Sequence, residues 1–299
     1  MNSSIYKNKI KTSIIFCLIF ALVSIFVYYI CNWTGYGEFA LTFALGFSLL
    51  SSLISYWFSA SIVLKINKAI PADAALHNEA YTALRRVCYN AGIPEPKLYI
   101  MNDPSPNAFA TGRNPKNAVV CLTTGLVNKL DYYQLEGVIA HEVAHIKNYD
   151  ILLSTVASVM IGMIIMVCDI LQRSFFFRSF RNDSDDSSTG VIAGIISLII
   201  IIITPIAGQL LRLCLSRNRE YLADSTGASF TGNPEGLASA LIAISEYSQP
   251  LKYASEATAN MFISDPMYAN SKKKRLNLFS THPPIEERVE RLRDMKYNY

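Results

Sequence analysis

The sequence predicts an α+β chain, mainly helical, embedded in a membrane by about four transmembrane helices and carrying a water-soluble part with a small β-sheet. Three observations predict it. Of 299 residues, 51% are hydrophobic and only 17% charged, against about 25% charged in ordinary soluble domains. The apolar excess is gathered into four stretches that lack any charged residue. Outside those stretches, short segments carry helical or strand periodicity and are bounded by turn residues.

The four stretches are residues 12–37, 39–64, 151–168 and 187–211. Each meets or approaches the roughly 20 residues that cross a hydrocarbon core at about 1.5 Å per residue. The first two read as full spans. The third carries Ser154, Thr155 and Ser158, and the fourth carries Pro205, so the second pair reads as membrane-embedded, either crossing or re-entrant. A signal peptide is the rival for the first stretch, because Lys7, Lys9 and Lys11 resemble a basic leader. Its apolar part is too long, and no small-residue cleavage site precedes Asn32.

The chain therefore divides into four parts. Residues 1–64 form a tail and a first membrane hairpin. Residues 65–150 and 214–299 are two halves of one soluble domain, and residues 151–213 form a second hairpin inserted between them. Basic residues orient the whole. Three lie in the N-terminal tail, nine in 65–150 and twelve beyond 211, while the connector 32–38 has none. The soluble halves are thus expected in the cytoplasm. The connector 172–190 fits less well, since it mixes Arg173, Arg178 and Arg181 with Asp183, Asp185 and Asp186. Six cysteines without a CxxC spacing agree with a reducing compartment. A net charge of +4, dispersed along the chain, excludes a nucleic-acid binder, whose basic residues gather on one face.

In the first soluble half, helical spacing runs over 74–91 and stops near Gly92 and Pro94. KLYIM (97–101) and AVVCLT (118–123) read as strands, and the Asp, Pro, Asn and Gly content of 102–117 reads as loop or hairpin. A helix begins at Asp131. The second half reads as helices over 216–229, 234–247 and 284–295.

The chemistry is concentrated in His141-Glu142-Val143-Ala144-His145. Positions i and i+4 share a helix face, so both imidazoles can converge on one metal ion, and Glu142 can reach a water on its open side. Two unrelated surface histidines are the bland alternative. A catalytic zinc normally takes three protein ligands. His77, His282, or the i,i+4 carboxylates Glu220 and Asp224 can supply the third, although charges just beyond an apolar block also serve as interfacial anchors.

These motifs carry a resemblance. The run from Asn107 to Lys116 (NAFATGRNPK), the HEVAH helix with Asn148 and Asp150, the SRNREYLAD run at 216–224 and the THPP run at 281–284 resemble the HtpX family. Its members are membrane-bound zinc metallopeptidases related to the CAAX prenyl endopeptidases. The resemblance extends over essentially the whole chain; the connector 172–190 is the least typical part. It implies a cytoplasmic gluzincin-type metalloprotease domain with one zinc ion per chain held by His141, His145 and Glu220. It further implies a multi-pass protein of the bacterial inner membrane that degrades misfolded membrane proteins in stress response and quality control.

In such a site Glu142 is the general base. His282 is the expected oxyanion donor, with Arg217 and Tyr221 as rivals, and Asp150 and Asp224 are expected to orient the ligand imidazoles. Substrate is expected as an extended strand along Asn107, Ala108, Phe109 and Ala110 with Ala118, Val119 and Val120. Partners are polypeptide substrates and the bilayer, and the oligomeric state is open. Layout adds that His145 lies about 9 Å of helix from the third apolar block and Glu220 about 13 Å from the fourth, so the metal is expected close to the membrane surface. The rivals are a prenyl-protein endopeptidase and an inactive zinc-binding membrane scaffold. Glu142 argues against the scaffold, since a non-catalytic metal site has no need of it.

Overall fold

A computed structural model describes residues 2–33, 37–156, 158–159, 162, 217–247, 249–254, 258–266 and 283–295. The fourth apolar stretch, half of the third, the connector 172–190 and His282 lie outside the described residues.

Helix α1 (Asn2–Trp33) and helix α2 (Ala40–Ile66) pack against each other as a hairpin. Helix α2 is built inside out. Its exposed face carries Leu41, Phe43, Leu49, Leu53, Trp57 and Phe58, whereas its buried face is a seam of Ala40, Ala44, Ser48, Ser52, Ser55 and Ser59. Small residues at this spacing let helix backbones approach closely in lipid. Among the described residues, 37–66 is the one helical stretch long and apolar enough to cross a membrane; α1 contributes a shorter apolar run, Phe16–Tyr29.

Four strands follow: β1 (Ile70–Pro71), β2 (Lys97–Met101), β3 (Ala108–Gly112) and β4 (Ala118–Thr123). They form one sheet in the order β1-β2-β4-β3, with β2 and β4 parallel and the outer pairs antiparallel. The expected strands at 97–101 and 118–123 appear with those bounds. Both faces of β4 are covered. Ala118, Val120 and Leu122 enter the main helical core, while Val119 and Cys121 face a second cluster with Val63 of α2, Phe109 and Phe262. A strand buried on both faces reads as an unbroken apolar run, as AVVCL does.

Helix α3 (Asn78–Ala91) starts four residues later than its periodicity suggests. The Asp73 carboxylate accepts from the N–H groups of Ala75 and Leu76, holding 73–77 as a turn. It ends where Gly92 takes φ +66°, a left-handed cap that only glycine adopts freely. Short helix α4 (Thr124–Lys129) leads into α5 (Tyr132–Lys147). A reciprocal capping box between Asp131 and Gln134 starts α5, an arrangement worth about 1 kcal/mol.

Helix α5 is the centre of the domain, packed on by α3, by α6 (Arg217–Thr231) and by α7 (Pro234–Ser245); α8 (Ile285–Met295) closes over α6 and α7. The approach is so close that a Cβ at Gly137 would lie 2.5 Å from the Leu237 nitrogen, and one at Gly227 would lie 2.9 Å from the His141 nitrogen. Residues before and after the second apolar hairpin thus share one hydrophobic core.

Candidate active site

Helix α5 buries His141 and Glu142 almost completely, and His145 one turn on is partly covered. The two imidazole Nε2 atoms are 3.1 Å apart. From the first turn of α6, Glu220 brings Oε2 to 3.7 Å of His141 Nε2 and Oε1 to 3.6 Å of His145 Nε2. One donor atom from each residue fits within 4.8 Å of the others. Ligands bonded tetrahedrally at about 2.0–2.2 Å stand roughly 3.3–3.6 Å from one another, so the three fit a zinc-sized ion.

Each histidine is oriented from behind. His141 Nδ1 is 2.9 Å from Asp224 Oδ1, and His145 Nδ1 is 3.1 Å from Asp150 Oδ2. With those N–H groups donated to carboxylates, both Nε2 lone pairs face the cluster. The sequence spacing of Asp224, one turn after Glu220, puts it behind His141. Asp150 follows a backbone bend at Tyr149, whose φ is +61°.

One residue of this network escaped the sequence reading. Arg288, fully buried on α8, donates from Nε and Nη2 to Asp224 at 2.9 and 2.7 Å and from Nη1 to the Ile263 carbonyl at 3.3 Å. A signal was present, because Ile285, Arg288, Val289 and Leu292 have the spacing of a core-facing stripe and arginine is the misfit in it. Arg219, also not foreseen, lines the cleft, with Nη1 at 3.8 Å from Asp150 Oδ1.

The charge states follow from burial and these partners. Burial lowers His141 to about 4 against the opposing effect of the hydrogen bond it donates to Asp224, which leaves it neutral, as a metal ligand must be. Burial alone would lower His145 too, but its bond to Asp150 and the charges of Glu220 and Glu142 raise it to about 9. A cation in the cluster would replace that proton. Burial raises Asp224, but Arg288 and His141 outweigh it and hold the carboxyl at about 2. Glu142 is pushed up to about 7 by burial and by Glu220, against His145, Arg288 and the Ala110 N–H. A carboxyl at that value can both take and return a proton near neutrality.

The sheet reaches the site through β3, its outer strand. The Ile263 N–H donates to the Ala108 carbonyl at 2.9 Å, so residues 262–263 already pair with part of this edge. Farther along, the Ala110 N–H is directed at Glu142, and Ala110 lines the cleft. Asn107 ties the 262–264 segment to the strand, donating from Nδ2 to the Ser264 carbonyl at 3.0 Å. Phe109 packs edge-on against Phe262. Val119 and Val120 lie inside the sheet, paired with β2 on one side and β3 on the other, and Ala118 pairs with Gly112 of β3. Their backbone is therefore not open to a further strand, and the edge belongs to β3.

Two expected residues are directed elsewhere. Tyr221 packs under the guanidinium of Arg291, 3.8 Å from its ring centre, and its hydroxyl bonds Glu287 of α8. Arg217 lies on the same side, near Glu287, and neither of the two lines the cleft. The reason is helical phase, since Tyr221 is one residue, about 100° of turn, beyond Glu220. His77 stands just before α3 with Nδ1 3.0 Å from the Asp73 carbonyl, makes no side-chain cap to the helix, and is no part of the cluster. The outer wall of the cleft includes Ile151 and Ser154, the first turn of the third apolar stretch.

Residues 75–296 match the family model described as Peptidase family M48. The chain is 44% identical over 292 residues to a protein named Protease HtpX homolog from Dictyoglomus turgidum, covering 98% of this chain and 94% of that protein. A homologue of the same name from Thermococcus sibiricus is 41% identical over 97% of this chain and 96% of that one. Among solved structures, the crystal structure of S. mikatae Ste24p aligns with a TM-score of 0.49 and 17% identity, covering 96% of this chain and 66% of that chain.

Proposed function

Because the chain belongs to peptidase family M48, we propose that it is a zinc endopeptidase of the gluzincin type that cleaves misfolded membrane proteins on the cytoplasmic side of a bacterial inner membrane. The observation that carries this reading is the convergence of His141, His145 and Glu220 beside a buried Glu142. In this reading four spans anchor the protein, and residues 65–150 and 214–299 form one catalytic domain around the inserted hairpin 151–213.

One zinc ion held by the three residues would supply Lewis-acid polarisation of the scissile carbonyl and acidify the attacking water. Glu142 takes the water proton onto its carboxyl and returns it to the leaving amine. Asp224 and Asp150 keep the two imidazoles in the tautomer and orientation that ligation needs, and Arg288 keeps Asp224 ionised. Residues 262–264 already cover the β3 edge at Asn107 to Phe109, so an extended substrate takes the edge from Ala110 onward, its main chain supplying affinity with little sequence demand. His282, nominated by its THPP motif, is the oxyanion donor.

The preference for membrane proteins rests on the cleft wall. Ile151 and Ser154 open the third apolar stretch and line the cleft, so peptide bonds next to a bilayer are the ones within reach. Glu142→Gln tests the assignment: the variant is expected to bind zinc one to one and to lose cleavage of an unfolded membrane-protein substrate by three orders of magnitude or so. Retained cleavage would refute Glu142 as the base.

A further inference from the structure

A cavity of about 820 Å³ lies away from the cleft, at the junction of the first hairpin with the catalytic domain. Ser13 of α1 and Tyr56 of α2 wall one side, and the β3–β4 turn with Arg113 and Lys116, together with Lys147 and Tyr149, walls the other. Among the described residues its lining contains three cations and no carboxylate. Nothing in the proposed peptidase chemistry uses it.

We propose that this cavity binds the headgroup of an anionic phospholipid. The proposal rests on the reading of α1 and α2 as membrane spans, and three features select a lipid. First, depth is set by Tyr56 and Trp57, whose rings meet edge to face at 5.5 Å; paired aromatics of this kind sit at the headgroup level. Second, Arg113 stacks 4.2 Å over the Trp57 ring, and Trp57 is 55% exposed on the apolar face of α2. A guanidinium held over an indole face keeps the N–H fork at its own edge available for bidentate contact with a phosphate. Third, Lys147 is anchored by donating to the Ala91 carbonyl at 2.7 Å, so its charge is part of the wall, and Lys116 at the turn is exposed. Basic pockets beside transmembrane helices on the cytoplasmic side are where anionic headgroups settle. The pocket also adjoins the active site along the chain, because Tyr149 precedes Asp150, the hydrogen-bond partner of His145.

The test uses the full-length, zinc-loaded protein in phosphatidylcholine vesicles with and without phosphatidylglycerol. Retained lipid is read by native mass spectrometry after release, and an alkaline wash checks membrane insertion separately. Wild type is expected to retain phosphatidylglycerol in preference to phosphatidylcholine. Arg113→Ala with Lys116→Ala is expected to reduce that preference about 30-fold, at on the order of fivefold per removed cation. A control of equal charge loss, Lys97→Ala with Lys129→Ala, lies outside the cavity and is expected to leave it unchanged.

Equal retention of both lipids, or equal loss in both double variants, overturns the site. So does full displacement by inorganic phosphate, which would mark a site for soluble anions. A protein that washes off the vesicles refutes the membrane reading itself, whereas one that stays inserted without selecting phosphatidylglycerol refutes only the lipid site.

Discussion

Replacing Arg288 by Met removes the guanidinium behind Asp224 while keeping most of the buried volume. Arg288 has no exposed surface, and Asp224 is 4% exposed. The substitution breaks two short bonds to Asp224 and one to the Ile263 carbonyl. It leaves a buried carboxylate facing His141, 2.9 Å away, without the guanidinium. Removing one member of a buried pair costs about 3–5 kcal/mol. For a domain of this size, where 1 kcal/mol shifts the midpoint by about 2–4 °C, the melting temperature is expected to fall by roughly 6–20 °C.

The sign with pH follows from Asp224, held at about 2 against its ordinary 3.8. A depressed carboxyl stabilises the fold above its unfolded value and loses that contribution as pH falls through the folded one. The deficit of Arg288→Met is therefore widest at neutral pH and narrows in acid. The assay is thermal unfolding of the zinc-loaded protein in detergent, with Asp224→Asn added to Arg288→Met as the second arm. Removing the stranded charge is expected to recover about 2 kcal/mol. A midpoint within about 2 °C of wild type, or a double variant as unstable as the sum of the singles, would refute the clamp.

Two further outcomes follow from packing and burial. Gly227→Ala forces α6 away from α5 by about 0.5 Å, the difference between the 2.9 Å Cβ approach and a 3.4 Å contact, which moves Glu220 from the histidines. Zinc affinity, read by chelator competition, is expected to drop about 10- to 100-fold; an unchanged affinity would show that the seam does not set the ligand spacing. Burial, then the charge of Glu95, pushes the Cys88 thiol up to about 12 from 9.0. A raised value stabilises the fold below the unfolded one and is lost as pH rises through the folded one. Unfolding free energy is thus expected to fall by about 1.4 kcal/mol per pH unit between pH 9 and 12 for this thiol. Urea melts of Cys88→Ala over that range should show a shallower slope, and an identical slope would sink the attribution.

Much of this architecture is legible in the sequence where one physical signal acts alone. The strands KLYIM and AVVCLT are short apolar runs between turn residues, and the structure bounds them as read. The HEVAH pair is visible because i,i+4 spacing is a local property of a helix, whereas Glu220 is one of several candidate third ligands by spacing and is singled out only by the family resemblance of its SRNREYLAD run. Strand β3 is hidden, since Ala-Phe-Ala-Thr-Gly is buried at every position and shows no alternation among neighbouring Pro, Asn and Gly. Helical phase already turns Tyr221 away from the Glu220 face, but its partners Glu287 and Arg291 depend on where α8 docks, which no local pattern encodes. Arg288 is hidden for a related reason: its partner Asp224 is 64 residues away, and only tertiary packing makes a buried arginine acceptable.

The long reach of that arginine has a consequence for the order of synthesis. A ribosome delivers the HEVAH helix first, then Glu220 and Asp224 beyond the second hairpin, and the clamp on Asp224 only once residue 288 has been made. Until then the carboxylate behind His141 is a charge with no cation beside it, and α5 lacks the arrangement that holds its first histidine in place. A chain stalled anywhere before α8 is thus a hydrolytic site without its keystone.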